Sequence, residues 1–219
     1  MSAATLAGYK TMTRRLRGLD LINEYPDDWE YVFENNEHMF FNKEEKDLMY
    51  SIKCPYGQEG DILWVRESYS KIEGHPFKDY IYKSTDLKDY AIKWKPSIHM
   101  PYSACRQWLK VKAIRVERLH SVSEADAIAE GGRFTDNGIC DSWPKHITKE
   151  QAAKTGGLKA GWSHTGETHP DKCLRSARSS FCNLWIKING QQNWDKNPFL
   201  WVVSFEPCEK PVGLSPNKG

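Results

Sequence analysis

The chain has 219 residues and a formal charge of +2, from 31 Lys and Arg against 29 Asp and Glu. This near balance excludes a histone-like polycation and an acidic disordered tail. Hydrophobic residues make up 39% of the chain and nine residues are Trp, which is enough apolar volume for one ordinary core or two small ones. We therefore expect a globular protein.

The sequence shows neither a membrane segment nor a secretory leader. No window reaches about 18 consecutive apolar residues, and the first residues lack a basic region followed by an apolar one. We therefore expect a cytoplasmic protein with no membrane partner.

Six cysteines lie far apart without a C-x-x-C pair, which indicates free thiols rather than a disulfide scaffold. A zinc site is the alternative, because one segment concentrates Cys and His, the ligands that zinc prefers. The residues concerned are Cys140, His146, His164, His169, Cys173 and Cys182. Their spacing fits no standard zinc finger, so we predict neither a metal nor a cofactor.

The first fifty residues change sharply in character. Residues 2–8 predict a short helix that ends at Gly8. Residues 27–47 then carry eight Asp or Glu against two Lys, together with five aromatic residues. We interpret residues 20–50 as an insertion that packs back onto the body of the domain.

Two strands are predicted in the middle of the chain. A turn at residues 56–61 leads into the strand formers of residues 62–67. In residues 107–119 apolar side chains alternate on one face as far as Ala113 and then shift phase at Ile114. Such a shift is typical of a β-bulge, so we predict one long bent strand.

A capped helix of about two turns follows. Ser123 predicts its N-cap, Asp126 answers it three residues on, and Gly131 provides the left-handed stop. Glu130 therefore projects at the helix C-terminus, where the macrodipole disfavours negative charge. A carboxyl group in that position can act as an acid or base, and the alternative is a glutamate that simply faces water.

The rest of the chain predicts one helix and one strand. Residues 132–168 lack a sustained period, so we interpret them as a loop or an inserted subdomain. Residues 172–188 recover a helical period, with an apolar stripe from Leu174 to Ile188. Residues 198–206 predict a strand that is apolar on both faces.

These elements predict an α+β fold, a small mixed β-barrel with flanking helices. The simplest organisation is a single domain over residues 1–219 with two insertions, at about 20–50 and 132–168.

Lys10 and Thr13 form the first candidate site. A lysine three residues before a threonine can share a site with it, and a lysine held in an apolar cleft loses affinity for its proton. Arg14 and Arg15 follow directly, and guanidinium forks suit a phosphate or a nucleotide. The alternative is that this basic run is a solvated face.

A third group of residues offers stacking surfaces and polar edges that would hold an unstacked base. Its candidate nucleotide-binding residues are Arg66, Glu67, Tyr69, Ser97 and His99. Two alternatives stay open: the aromatic residues belong to the core, and Arg66 and Glu67 form a structural pair.

Five segments, in this order, resemble the ASCH-domain family, a group of PUA-like small β-barrels often associated with RNA. They are GYKTMTRRL, CPYGQEGDILWVRESY, WKPSIHMP, LKVKAIRVERLHSVSEADAIAEG and FCNLWIKINGQQNWDKNPFLWVVSFE. The resemblance is to the longer ASCH proteins of bacterial and prophage genomes, and it covers most of the chain outside the two insertions. It implies a PUA-like barrel in the cytoplasm of a bacterium or of a phage-infected cell.

Small ASCH enzymes that look like this chain hydrolyse the exocyclic amide of acetylcytidine with a Lys, a Thr and a Glu. By resemblance these catalytic residues are Lys10, Thr13 and Glu130. The resemblance implies that Thr13 attacks the amide carbonyl or orients the attack, and that Lys10 assists proton movement and binds the oxyanion. Glu130 would serve as acid or base, and the choice of base between Lys10 and Glu130 stays open.

We therefore expect a hydrolase that acts on an acylated or otherwise modified pyrimidine nucleoside or nucleotide. The alternatives are a non-catalytic RNA-binding module of phage or prophage origin and an ASCH-type ribonuclease. The expected partner is a modified nucleoside or single-stranded RNA, and the sequence does not indicate an oligomeric state.

Overall fold

The computed structural model of the chain describes residues 2–71, 79–85, 92–139, 146–155, 158–165 and 174–211. Over these residues the fold is α+β and consists mostly of strands, as predicted. The helices are α1 (Ser2–Leu6), α2 (Glu124–Ala129), α3 (Lys149–Thr155), α4 (Ala177–Asn189) and α5 (Gln191–Asp195). The strands are β1 (Met12–Arg15), β2 (Trp29–Glu34), β3 (Glu37–Asn42), β4 (Met49–Ser51), β5 (Ile62–Trp64), β6 (Tyr69–Lys71), β7 (Tyr80–Tyr82), β8 (Trp108–Arg118), β9 (Arg133–Ile139), β10 (Leu158–Ser163) and β11 (Phe199–Cys208).

The chain divides into two compact units. The first unit comprises Met1–Thr11, Tyr56–Ile114 and Val203–Gly219, and the second comprises Met12–Pro55 and Arg115–Val202. Strands β8 and β11 each contribute residues to both units. A single domain over residues 1–219 stays a prediction.

The largest sheet has the strand order β1-β11-β8-β5. Its strands β5 and β8 are antiparallel, with Trp64 opposite Trp108. The smaller sheets are β2-β3-β4, β6-β7 and β9-β10, and their strands also pair in antiparallel fashion. This pairing is typical of an α+β fold rather than of alternating βαβ units.

The core of the first unit includes two small apolar clusters among its described residues. Val65, Leu109 and Phe205 form one, and Tyr69 packs with Met100 in the other. These contacts fix the segment that carries the third group of candidate residues.

The core of the second unit packs α2 against α4. The buried residues of the cluster between them are Leu119, Val122, Ala127, Ala177, Phe181, Trp185 and Leu200. The Glu124 carboxylate accepts hydrogen bonds from the backbone N–H groups of Ala177 (2.9 Å) and Arg178 (3.3 Å). These N–H groups lie in the first turn of α4 and therefore have no acceptor within the helix itself. Helix α2, whose C-cap is Glu130, is therefore held at both its core face and its first turn.

The predicted capped helix is confirmed. The Ser123 hydroxyl accepts from the backbone N–H of Asp126, whose carboxylate accepts from the backbone N–H of Ser123. Gly131 has φ 105°, the left-handed conformation that favours glycine. The short helix before Gly8 is confirmed as α1, and Gly8 has φ 78°.

The long strand at residues 107–119 is confirmed as β8. Val111 and Val116 are both buried although they stand five positions apart, so the inward face changes phase between them, as predicted. Ala113 is exposed, contrary to the prediction that it belongs to the apolar face. Strand β5 ends at Trp64 and is shorter than the predicted strand of residues 62–67.

Two further predictions need correction. Residues 132–168 are not a plain loop, because the antiparallel hairpin β9-β10 and helix α3 lie within them, which favours the inserted-subdomain interpretation. Ile188 is 69% exposed, so the apolar stripe of α4 ends at Trp185 and the last turn extends beyond the core.

The acidic and aromatic segment packs within the second unit, and its being an insertion stays a prediction. It forms the sheet β2-β3-β4, in which Phe40 is fully buried. The Phe40 ring meets Phe199 edge to face with centroids 5.4 Å apart, and His38 meets Trp201 at 4.7 Å. Aromatic contacts with the first half of β11 thus hold this sheet.

Among the residues that the structure describes, no helix has the length and apolar character needed to cross a membrane.

Candidate functional site

Three elements of the second unit bring charged side chains around one buried arginine. Asp126 lies in the first turn of α2 and Glu130 is its C-cap four residues later, so the two share one helix face. Arg115 and Glu117 are two residues apart on β8, so they share one strand face. Arg14 on β1 contacts members of both pairs. We call these five residues the Arg14 cluster.

Arg14 is bound to three carboxylates. Its Nη2 lies 3.2 Å from Glu117 Oε2 and 3.2 Å from Asp126 Oδ2, and its Nη1 lies 3.4 Å from Glu130 Oε1. Only 1% of its side chain is exposed. The predicted role of Arg14 as a nucleotide contact therefore needs correction, because its guanidinium is buried against carboxylates of the chain itself.

A second arginine binds the same carboxylates. Arg115 donates through Nε to Glu117 and through Nη2 to Asp126, the latter at 3.1 Å. Burial raises the pKa of Asp126, but hydrogen bonds from Ser123 and the charges of Arg14 and Arg115 outweigh it, so that this pKa lies below its ordinary value. Asp126 therefore joins the cap of α2 to the Arg14 cluster as a stable anion.

Glu130 occupies the C-cap position of α2 and is only 8% exposed. The interpretation that it faces water is therefore wrong. Backbone carbonyls at a helix end disfavour a carboxylate, and the Arg14 guanidinium at 3.4 Å opposes that effect. Thr13, which precedes Arg14 on β1, is likewise 8% exposed.

Lys10 belongs to the first unit and is also 8% exposed. Its backbone N–H donates to the Ala4 carbonyl at 3.2 Å, which ties it to α1. The interpretation of the basic run as a solvated face therefore holds for Arg17, which is exposed, but not for Lys10, which is buried. Arg15 is half-buried and donates to the Arg14 carbonyl at 2.9 Å.

Glu67 forms a buried ion pair in the first unit, and its partner is Arg106 rather than Arg66. Arg106 donates to it through Nε at 2.8 Å and Nη2 at 2.9 Å, and Ser84 donates as well. Burial raises the pKa of Glu67, but these hydrogen bonds outweigh it and hold the pKa below its ordinary value. The predicted nucleotide-binding role of Glu67 needs correction, since 1% of its side chain is exposed and its oxygens are engaged.

The remaining residues of the third group separate into buried and exposed ones. Tyr69 is 5% exposed and its hydroxyl donates to the His99 carbonyl at 2.9 Å, so it belongs to the core. Ser97 is half-buried, while His99 and Arg66 are exposed. Arg66 lies over the Trp64 ring at 4.6 Å and donates to the Ile98 carbonyl.

Three aromatic rings of the first unit, those of Trp64, Tyr102 and Trp108, form a row. Tyr102 meets Trp64 at 5.7 Å and Trp108 at 4.8 Å, both edge to face. Arg66 lies over one end of this aromatic row, and Lys210 lies 5.8 Å from the centre of the Tyr102 ring. The row therefore places two cations beside packed aromatic rings, of which Trp108 is buried and Trp64 and Tyr102 are partly exposed.

Of the residues considered for zinc, Cys140, His169 and Cys173 lie outside the described residues. His164 has other partners: Nε2 donates to the Ala127 carbonyl at 2.7 Å, and Nδ1 lies 2.8 Å from the Ser180 hydroxyl. Cys182 is a half-buried free thiol. In the described ranges no group of three or more His, Cys, Asp or Glu side chains is arranged to hold a metal.

Sequence reasoning missed several partners of the candidate residues. The i, i+4 spacing of Asp126 and Glu130 and the alternation of Arg115 and Glu117 were signals of shared faces. No local signal links Arg106 to Glu67, because this pair depends on the tertiary fold.

Comparison with known proteins adds no relative. No family model, no curated protein and no solved structure matches this chain.

Proposed function

We propose that this chain is a hydrolase acting on an acylated or otherwise modified pyrimidine nucleoside or nucleotide in the cytoplasm, with the PUA-like barrel of the ASCH proteins that it resembles. The observation that supports this most is the Glu130 carboxyl group, which is buried at the end of α2 and held by Arg14. A carboxyl removed from water and fixed in direction is suited to proton transfer.

The proposed reaction is hydrolysis of an exocyclic amide. The bond between the acyl carbon and the ring-bound nitrogen breaks, and water supplies hydroxide to the acyl carbon and a proton to the amine. Thr13 attacks the carbonyl or orients the attack, while Lys10 and Glu130 share proton transfer. Thr13 stands three positions after Lys10, so chain geometry keeps their Cα atoms within about 11 Å.

The test is release of acetate and cytidine from N4-acetylcytidine, followed by chromatography. We expect turnover by the wild type and at least a hundredfold loss in Lys10→Ala, Thr13→Ala and Glu130→Gln. Lys112→Ala is the matched control, because Lys112 is 54% exposed and its ion pair within the described residues is with the exposed Glu206.

Two results would contradict the proposal. One is the absence of turnover with acetylcytidine and with other acylated cytosines. The other is equal turnover by the wild type and Glu130→Gln when both show the same urea midpoint.

The aromatic row favours a second candidate, a module that binds single-stranded RNA. Bases stack on aromatic side chains, and cations beside them attract the phosphates. The Tyr102 hydroxyl is buried without a hydrogen-bond partner in the part of the chain that the structure describes.

Anisotropy of a labelled single-stranded RNA tests this candidate. If the chain is such a module, its affinity for RNA should fall as salt is added and should be unchanged in Lys10→Ala. The affinity should fall in the double variant Trp64→Ala and Arg66→Ala. Lys149→Ala, on a lysine that is 59% exposed in the second unit, is the control. Cleavage of the strand by the wild type, and not by Lys10→Ala, would indicate a ribonuclease instead.

A further inference from the structure

The sheet β2-β3-β4 has two chemically different faces. Its register places Val32 opposite Met39 and Phe41 opposite Met49. Because side chains alternate along a strand, these four residues lie on one face, while Phe40 lies on the other and packs on Phe199. We call Val32, Met39, Phe41 and Met49 the outer stripe.

The outer stripe is partly exposed to solvent. Met49 is 47% exposed, and Val32, Met39 and Phe41 are partly exposed. A contiguous apolar patch at a protein surface is a candidate docking site.

Acidic residues surround the outer stripe. Glu30, Glu34 and Glu37 lie on the same face, and three more acids follow β3 in the turn toward β4: Glu44, Glu45 and Asp47. All eight acids of residues 27–47 are exposed, and eight acids against two lysines give this segment a charge of −6. Of these eight, only Asp27 forms an ion pair within the described ranges, with Arg118.

The arrangement of these acids lowers the stability of the hairpin. Glu34 and Glu37 are directly opposite each other on β2 and β3. Like charges in that position destabilise an antiparallel pair. Lysine or arginine side chains of a partner would remove this repulsion.

Charge selects the kind of partner. A second copy of the same face would bring six negative charges against six, and nucleic acids and anionic lipid surfaces would be repelled as well. We propose that this face docks a cationic amphipathic segment of another protein, whose apolar side chains cover the outer stripe and whose Lys or Arg side chains meet the surrounding glutamates.

The test uses the full chain and a fluorescent amphipathic peptide of Leu and Lys, with a Leu and Glu peptide of the same pattern beside it. Anisotropy should show binding of the Lys peptide only, weakening with salt. The double variant Glu34→Lys and Glu37→Lys should lower the affinity by about tenfold or more. The matched control, Asp136→Lys and Glu206→Lys, makes the same change in net charge at residues that are 45% and 49% exposed and distant in sequence.

A second variant tests the apolar part without changing charge. Met39→Gln should also weaken the peptide, and its urea midpoint should stay near that of the wild type because Met39 is already partly exposed.

Three results would overturn the proposal. They are equal weakening by the control variant, no binding of the Lys peptide, and a wild-type dimer in sedimentation that Met39→Gln dissociates. This inference does not depend on the proposed hydrolase activity, since acetylcytidine turnover should be unchanged in both sets of charge variants.

Discussion

Arg14 illustrates how a buried charge constrains its neighbours. An ion pair removed from water gains little net stability over an apolar pair of the same size, because desolvation opposes the Coulomb attraction. Loss of one partner is costly, because the others stay buried and unpaired. With three carboxylates around one guanidinium, the Arg14 cluster should be far more sensitive to loss of the arginine than to loss of any single acid.

We predict that Arg14→Met lowers the free energy of unfolding by about 3 kcal/mol. Arg14→Lys should lose less, because it keeps a positive charge but not the planar fork. Urea unfolding at neutral pH measures both. Arg17→Met, at an exposed position, should change stability by less than about 0.5 kcal/mol. A stable Arg14→Met would mean that the three carboxylates relax into water.

Glu67 predicts a dependence of stability on pH. Its folded pKa lies below the ordinary value of 4.5, so its ionised form stabilises the fold above that pH, and this contribution is lost as pH falls through the folded pKa. Asp126 acts in the same direction. We expect the urea midpoint of the wild type to fall as pH drops below about 4.5, and that of Glu67→Gln to fall less steeply. Parallel curves for the two proteins would contradict this assignment.

At the scale of elements, α2 and α4 are capped in different ways. Ser123 is the N-cap of α2, whereas α4 has both its own N-cap, Ser176, and the Glu124 carboxylate. Because both Ser176 and Glu124 bind N–H groups at the start of α4, loss of either one should cost less stability. The capping box of α2 depends on one reciprocal pair, Ser123 and Asp126.

We therefore predict that Ser123→Ala lowers the free energy of unfolding by about 1 kcal/mol and that Ser176→Ala lowers it by less. Asp126→Asn should cost more than either, about 2 kcal/mol, because Asp126 also binds Arg14 and Arg115. Thermal unfolding of the three variants gives the order. If Ser176→Ala proves the most damaging, Glu124 does not share the capping of α4.

Elements whose cause is local were predictable from the sequence. The cap at Ser123, the stop at Gly131 and the phase change along β8 each depend on residues within a few positions. The hairpin β9-β10 was not found, because its paired residues stand 19 to 30 positions apart and its strands lack a regular apolar alternation. Ala113 and Ile188 were assigned to apolar faces on pattern alone, which does not reveal where the core ends.

The candidate site was predictable in part for the same reason. Glu130 was found from its place at a helix end, but its burial and its bond to Arg14 depend on β1 meeting α2, which no local pattern shows. The same limit applies to Glu67, whose partner Arg106 lies 39 residues away.

At the scale of the whole molecule, charge is strongly separated. The segment of residues 27–47 carries −6 in a chain of net charge +2, so the remainder carries +8. The net charge of the whole chain does not reveal this separation. The acidic segment favours cationic partners, whereas the basic remainder favours anionic ones.

We predict that Glu44→Gln with Glu45→Gln, which raises the formal charge from +2 to +4, strengthens binding of poly(U) a few-fold at low salt. The difference should disappear when the ionic strength exceeds about 0.2 M, because the screening length then falls below about 8 Å. Filter binding across a salt series measures this effect. An effect that persists at high salt would place these two glutamates in direct contact with the RNA.

The interleaving of the two units has a consequence for synthesis. The second unit is complete once Val202 has been made, whereas the first still lacks Phe205, which joins Val65 and Leu109 in its core. Between Arg115 and Phe205 a ribosome needs about 5 to 20 s at ordinary elongation rates. During that interval β8 lacks its neighbour β11, and Val65 and Leu109 lack Phe205, so the nascent chain offers chaperones a defined period in which to bind.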